Sequence, residues 1–371
     1  MSENAFVVVF PSVFAKSKQS NLMSSVRKVL RIQGQRFGRI SRDEELVIIE
    51  ANDPVFASSA VNLLFGISRV CIARRVENKY DTVVSSIAKI GASLLLQGEQ
   101  FHVKVEGRAS GYIPKDVEIA ATSALIESSH KSGCRPGTEE KHDKQIYCYL
   151  TKKNAYIAIF SDGGHGGVPY NWQDQKMICC IYDELSAVSC LEAIKQGFDV
   201  RIIVCYNDSN LLDIVRMLNR ILPRTVSSQV DIEFFTIPKG QGAKSVLHRA
   251  KIATWVLCSV AMEQKISRVG LALSPLVYPV WFIDENADII VKSKLTPWPV
   301  LAGLDEQIIR TAKEIGLGKY LHKIEKLGAY KFSKEKSDVS RIVKESLGTR
   351  QKITVNVGPN NVHEILDMLK H

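Results

Sequence analysis

From Met177 onward, short apolar runs alternate with longer helical stretches, and this alternation restricts the C-terminal half of the chain to one architecture. Residues 177–182 read as a continuous apolar strand, 185–196 as a helix stopped by Gly197, and 200–206 as a second buried strand. Asn207 or Asp208 then caps a helix that Pro223 ends. A strand over 230–237, a long helix over 243–264 and a strand over 269–273 complete the series. Strands apolar on both faces and separated by helices require a doubly wound, mainly parallel sheet. Ligands of such sheets sit beyond the carboxyl ends of the strands, so the turn after Cys180 is the first place to look for chemistry.

The first half has a different order. Residues 5–10 form a β-branched and aromatic run, and a helix follows from about Asn21, its expected N-cap. Leu22, Val26, Val29 and Leu30 face inward, while Arg27, Lys28 and Arg31 lie outside. Two strands around the charged turn 41–45, a short helix over 55–65 and a strand over 70–76 give a βαββαβ order. Next, Asp81 caps a helix ended near Gly98, and residues 101–105 alternate so that His102, Lys104 and Glu106 share the wet face. A loop over 108–114 leads to a helix over 116–130. After a polar connection, strands 146–150 and 155–160 flank the hairpin turn 151–154. A strand over 352–357 and an Asn-capped helix over 362–369 end the chain, with no function assigned.

Composition narrows the classes of function. The chain has 371 residues, 45% hydrophobic and 24% charged, which suits two or three globular domains. No apolar run approaches the roughly 20 residues of a spanning helix, and Glu3 spoils a signal-peptide start. A soluble cytoplasmic protein with no membrane partner is expected. The net charge of +10 divides evenly between the halves, which excludes a basic arm and leans toward polyanionic partners. The eight cysteines show no paired spacing and several lie in apolar runs, so buried reduced thiols are expected. Cys179 and Cys180 lie inside such a run, unlike a reactive thiolate. The eight histidines have no triad or metal spacing, and His165 reads as an exposed turn residue. No catalytic or metal-binding residue is assigned.

Several segments carry a resemblance. Residues 101–108, Tyr112-Ile-Pro114 and Val117-Glu-Ile119 resemble the THUMP signature, and Gly164-His-Gly-Gly-Val-Pro169 looks like the linker that joins THUMP to a PP-loop domain in tRNA 4-thiouridine synthetases. Phe65-Gly-Ile67 upstream, and Leu304-Asp-Glu-Gln-Ile-Ile309 with Ala312-Lys-Glu-Ile-Gly316 downstream, extend it over nearly the whole chain. The resemblance implies a ferredoxin-like domain (1–76), a THUMP domain (77–165) and a PP-loop, Rossmann-like domain (172–371), an α/β and α+β combination. It also implies tRNA bound at the acceptor stem and 3′ end, ATP-dependent adenylation of a uridine, sulfur delivered as a persulfide, and a homodimer.

The nucleotide motif is degenerate. A PP-loop needs Ser-Gly-Gly-x-Asp-Ser after its first strand, because glycines let backbone N–H groups close on pyrophosphate. This chain offers Ile181-Tyr-Asp-Glu-Leu-Ser186, which leaves Tyr182, Asp183 and Ser186 as the weak nucleotide-binding candidates. Asp183 and Glu184 place negative charge where phosphate should arrive, and Asp183 also reads as an ordinary helix cap. Gly270-Leu-Ala-Leu-Ser274, residues 275–281 and Trp298-Pro299 likewise stand where the family has other motifs, and no cysteine follows Cys258.

RNA binding asks for less. Lys104, Arg108 and Lys115, with Lys152 and Lys153 at the hairpin tip, form one candidate cluster; Arg27, Lys28, Arg31, Arg36, Arg39 and Arg42 form a second. A solvated surface is the plain alternative for each. The leading expectation is a tRNA-binding protein with an impaired adenylation site and no cofactor. An active sulfurtransferase using ATP and Mg is the second. A scaffold that docks a partner on an apolar patch at residues 275–282 and Trp298 is the third.

Overall fold

A strand that pairs on both sides buries its centre, and β1 (Ala5–Pro11) does so with Val7, Val8 and Val9 fully buried. It stands inside the first of two units, Met1–Gly166 and Gly167–His371, whose boundary falls within the glycine-rich segment 164–169. The computed structural model describes residues 5–109, 111–239, 242–301, 306–333, 338–358 and 361–369. Ser110, Leu304, Asp305 and Asn360, all within expected segments, lie outside them, as does Glu3.

In the first unit, β1 is followed by α1 (Gln19–Ile32), β2 (Phe37–Asp43), β3 (Leu46–Ala51), α2 (Pro54–Val61) and β4 (Ile67–Glu77), the expected βαββαβ order. Then come α3 (Tyr80–Leu94), β5 (Gln100–Gly107), α4 (Pro114–Ser129), β6 (Arg135–Pro136), β7 (Lys144–Leu150) and β8 (Asn154–Gly166). Among the described residues these strands form one sheet in the order β2-β3-β1-β4-β8-β7-β5-β6. Only β5 pairs in parallel, with β6 and β7. The long β4–β8 ladder, from Ile67 opposite Gly166 to Glu77 opposite Asn154, makes residues 1–76 and 77–165 share a single sheet.

Its two faces differ. On one, α3 and α4 bring Val83, Ile87, Val117 and Leu125 against Phe101, Val103, Ile146 and Ile157. Each such fully buried side chain contributes about 2 kcal/mol. The other face gathers Val8, Ile48, Cys71, Tyr147 and Tyr156, with Phe10 and Tyr149 packed against them. The Phe10 and Tyr149 rings meet at 5.1 Å although β4 and β8 lie between their strands, and the Tyr149 hydroxyl donates to Glu45 beside β3. A flat sheet would hold β3 and β7 about 19 Å apart. The sheet is therefore strongly curled.

Glycine is required where strands approach closely. Gly107 has φ +100°, and a Cβ there would lie 2.0 Å from the Leu150 carbonyl oxygen. A Cβ on Gly164 would lie 2.3 Å from the Ile67 oxygen. His165 follows within β8, its ring 6.3 Å from Phe65, so it is a half-buried strand residue and not the exposed turn expected.

Helix starts differ from expectation. Asn21 lies inside α1, because a 3₁₀ turn over Val13–Lys18 capped by Ser12 runs directly into the helix and Gln19 Nε2 donates to Glu45 O (2.9 Å). Asp81 sits in the first turn of α3, whose cap position is Lys79.

The second unit contains β9 (Lys176–Ile181), α5 (Glu184–Lys195), β10 (Asp199–Tyr206), α6 (Leu211–Ile221), β11 (Gln229–Thr236), α7 (Gly242–Glu263) and β12 (Arg268–Gly270). These are followed by α8 (Val280–Lys292), β13 (Thr296–Trp298), α9 (Glu306–Glu314), α10 (Gly318–Gly328), α11 (Ser340–Gly348), β14 (Gln351–Asn356) and α12 (Asn361–Leu369). The sheet order is β13-β12-β9-β10-β11-β14, parallel except for β14. This is the doubly wound α/β fold that the alternation requires. Its strand order reverses between β9 and β12. Neither Asn207 nor Asp208 is the cap of α6. The Asn207 side chain instead accepts from Ser209 N–H (3.1 Å), and the helix starts after Asn210. Strand β12 stops at Gly270, earlier than expected; Leu271 N–H still bonds Trp298 O (2.9 Å), and the Ser274 oxygens then collect the amides of Leu276, Val277 and Tyr278. No described helix is long and apolar enough to cross a membrane.

Candidate nucleic-acid interface and strand-end cleft

Between Ala5 and Arg42 the sequence holds eight basic residues and no Asp or Glu. The amphipathic packing of α1 sends Leu22, Val26, Val29 and Leu30 inward, which leaves Arg27, Lys28 and Arg31 exposed on the outer stripe. The chain leaves α1 and enters β2, the edge strand, with Arg36, Arg39 and Arg42 also exposed. No carboxylate forms an ion pair with any of these six among the described residues. Their charge is therefore open to solvent.

The structure brings part of the other expected cluster, that of Lys104, Arg108, Lys115, Lys152 and Lys153, to the same place. Asp43 Oδ2 accepts from the hydroxyls of Thr151 (3.0 Å) and Tyr156 (2.6 Å) and from Asn154 Nδ2 (2.8 Å), while Glu44 accepts from Lys152 N–H (2.8 Å). These bonds hold the β2–β3 turn on the β7–β8 hairpin. Lys152 and Lys153 are exposed at its tip, beside Arg42 and exposed Arg108, whose charge acts on Glu45. The carboxylates here are engaged inward: the Lys16 ammonium, and after it the Tyr149 hydroxyl, hold Glu45 below the usual carboxylate range.

Lys104 and Lys115 stand differently. Lys104 lies on the wet side of β5 as expected, but its ammonium is 2.7 Å from Glu139 and 3.6 Å from Glu106. The Glu139 carboxylate raises the Lys104 pKa. Lys115 is 2.6 Å from Glu118, which also accepts from Val105 N–H (3.0 Å) on β5. These two cations are matched by acids, so the geometry favours Arg108, Lys152 and Lys153 over them.

The turn after β9 is built by two side chains of the motif, those of Asp183 and Ser186. Asp183 caps α5 by accepting from Ser186 N–H (2.9 Å), and Ser186 Oγ accepts from the N–H groups of both Tyr182 and Asp183 (2.9 Å each). Asp183 is 4% exposed, and burial raises its pKa although the Arg249 charge opposes this. Tyr182 is buried beside it. Glu184 is held by Lys323 of α10 (2.8 Å), which also bonds Asp213 (2.8 Å). A cleft of about 240 Å³ opens here at the carboxyl ends of β9 and β10.

Other expected features are not sites. All eight cysteines are buried and free, and burial pushes the Cys180 thiol up. No group of three His, Cys, Asp or Glu among the described residues is arranged for a metal. The expected apolar patch is broken up: Tyr278 and Phe282 are buried, while Pro275, Leu276 and Val280 are exposed. Trp298 is half-buried and does not join it, since its Nε1 donates to Gln196 (2.9 Å) and Arg268 stacks 4.8 Å over its ring.

Comparison with known proteins gives the fold. No protein-family model matches the chain, and no curated protein matches its sequence. Among solved structures, PH1313 from Pyrococcus horikoshii is 17% identical, with a TM-score of 0.62 over 84% of this chain and 99% of that one. A 4-thiouridine synthetase solved as a complex with RNA and bound ATP is 14% identical, with a TM-score of 0.65 over 95% of this chain and 100% of that one. The chain thus has the fold of a 4-thiouridine synthetase, over 95% of its length and at 14% sequence identity.

Proposed function

We propose that this chain binds structured RNA of the tRNA kind, at the acceptor stem and 3′ end, through the basic face of its first unit, and that its second unit does not adenylate that RNA. The observation that carries the reading is the acid-free run from Ala5 to Arg42, displayed as unpaired cations on α1 and β2. Such a face neutralises phosphates and gains from counterion release, and duplex RNA is recognised mainly by shape and backbone. The neighbouring hairpin with Lys152 and Lys153 widens it.

The second clause is supported by the strand-end turn. Three amides that a phosphate would use, those of Tyr182, Asp183 and Ser186, already have partners from Ser186 and Asp183. No glycine opens the turn, and in the cleft beside it Asp183, Glu184 and Asp213 offset the three cations Arg249, Lys323 and Lys326. These residues do not fit a triphosphate. Sulfur delivery lacks an accessible thiol in the same way. The reading includes a cytoplasmic place, a homodimer, and a first unit made of a ferredoxin-like part (1–76) and a THUMP part (77–165) before a PP-loop-like part (172–371).

Two titrations of the full chain test it. Labelled tRNA at about 0.1 M salt is expected to bind with micromolar or tighter affinity, and MgATP is expected to show no saturation up to about 1 mM, near 4 kcal/mol. Absence of a tRNA complex defeats the first clause; MgATP saturating below that level defeats the second. Light scattering reads the dimer.

A further inference from the structure

Polar atoms that the protein itself leaves unsatisfied lie around the cleft beside Asp183, two of them on residues that line it. Asp183 Oδ2, Arg249 Nε and the Tyr278 hydroxyl are buried without a hydrogen-bond partner, and the three groups lie close enough to affect one another's charge. Buried polar groups are nearly always paired, so three orphans in one place point to something that binds there. Asp183 and Arg249 carry opposite charges and both line the cleft, yet no ion pair within 4 Å joins them among the described residues. A gap separates them.

The remaining walls limit what can fill that gap. Ile214, Met217 and Val246 supply an apolar side. Tyr330 supplies an aromatic one, backed by Phe332 at 6.0 Å, which stacks on Tyr278 at 5.9 Å. Lys323 and Lys326 add two further cations to the lining. A simple anion would satisfy Arg249 and leave Asp183 buried and repelled; a simple cation would do the reverse. The volume of about 240 Å³ is below the usual range for drug-sized ligands, so the occupant is small.

We infer that this cleft binds a free α-amino acid, its ammonium on Asp183 Oδ2, its carboxylate on Arg249 and its side chain against Met217 and Tyr330. The site is independent of the RNA face and uses no phosphate cradle. It gives the second unit a ligand of a different class from nucleotide, held by the same acidic turn that repels triphosphate.

Calorimetry and thermal shift on the full chain, with each of the twenty standard L-amino acids alone, test this. Acetate and methylamine serve as half-ligands. At least one amino acid is expected to bind with a Kd below about 1 mM, a range that calorimetry resolves, and both half-ligands at least tenfold more weakly. Asp183→Asn, which keeps an oxygen for the helix cap, and Arg249→Met, which keeps the bulk, should each weaken binding at least tenfold. Lys176→Ala, on a distant strand end, should leave it unchanged, and tRNA binding should be unaltered in all three. No heat from any amino acid at about 10 mM would leave water as the occupant and overturn the proposal. Binding indifferent to both Asp183→Asn and Arg249→Met would overturn it equally.

Discussion

Two regions of this chain collect cations where an anion could land, and they treat those cations in opposite ways. On α1 and β2 the arginines stand exposed in a stretch free of acids. At the strand-end cleft the best-placed cation is already matched: Lys323 is bonded at 2.8 Å to both Glu184 and Asp213, and buried Asp183 lines the same cleft as Arg249. The number of basic residues is therefore a poor guide to phosphate binding. What decides is how much positive charge the chain's own carboxylates leave free, because each matched pair must be broken before a phosphate gains anything.

The comparison breaks most severely if the RNA face loses its frame. Gly107→Ala places a Cβ 2.0 Å from Leu150 O at φ +100°. It should cost about 3 kcal/mol or more of unfolding free energy in the first unit, read by denaturant titration, while the second unit keeps its transition. A single unshifted transition would contradict the close approach. Less drastic is Lys152→Ala/Lys153→Ala, which removes two exposed charges. An approximately tenfold loss of tRNA affinity is expected, with a salt slope shallower by about 1 to 2.

In the cleft, Asp183→Ala removes the cap of α5 and should cost about 1 kcal/mol. Asp183→Asn keeps a cap and removes a buried charge. Burial raises the pKa of Asp183 above its ordinary 3.8, so its favourable contribution is complete below that value and is lost as pH rises through the folded-state pKa. Asp183→Asn should therefore gain stability relative to the unsubstituted chain on going from pH 4 to pH 7 in urea titrations. A gain in the other direction would mean that Arg249 dominates. The smallest effect is expected from Lys104→Ala: with Glu139 and Glu106 released at the same time, tRNA affinity should change by less than about threefold.

Much of the fold was legible in the sequence, because it rests on local pattern. The apolar strands and helices after Met177, the hairpin around Thr151 and Asn154, and the inward stripe of α1 all follow from periodicity and turn chemistry. Tertiary partners were not legible. Nothing near Lys104 announces Glu139, which is 35 residues away in a polar connection, and nothing near Glu45 announces Tyr149 across the curled sheet. Asn21 looked like a cap because caps are judged by residue type, whereas Ser12 and Gln19 settle the start of α1 through contacts outside the helix. The one missed signal that was present is the absence of acids from Ala5 to Arg42, which separates the arginine cluster from the acid-matched Lys104 and Lys115.

The most direct measurement is the salt dependence of tRNA affinity for the full chain and for Arg31→Glu/Arg36→Glu/Arg39→Glu, from about 50 to 200 mM salt. An open cationic face predicts about 100-fold weaker binding for the variant at 0.1 M and a slope of log K against log salt reduced by about 2 to 3, with circular dichroism and MgATP response unchanged. Equal slopes and equal affinities would show that these arginines touch no phosphate and would contradict the account.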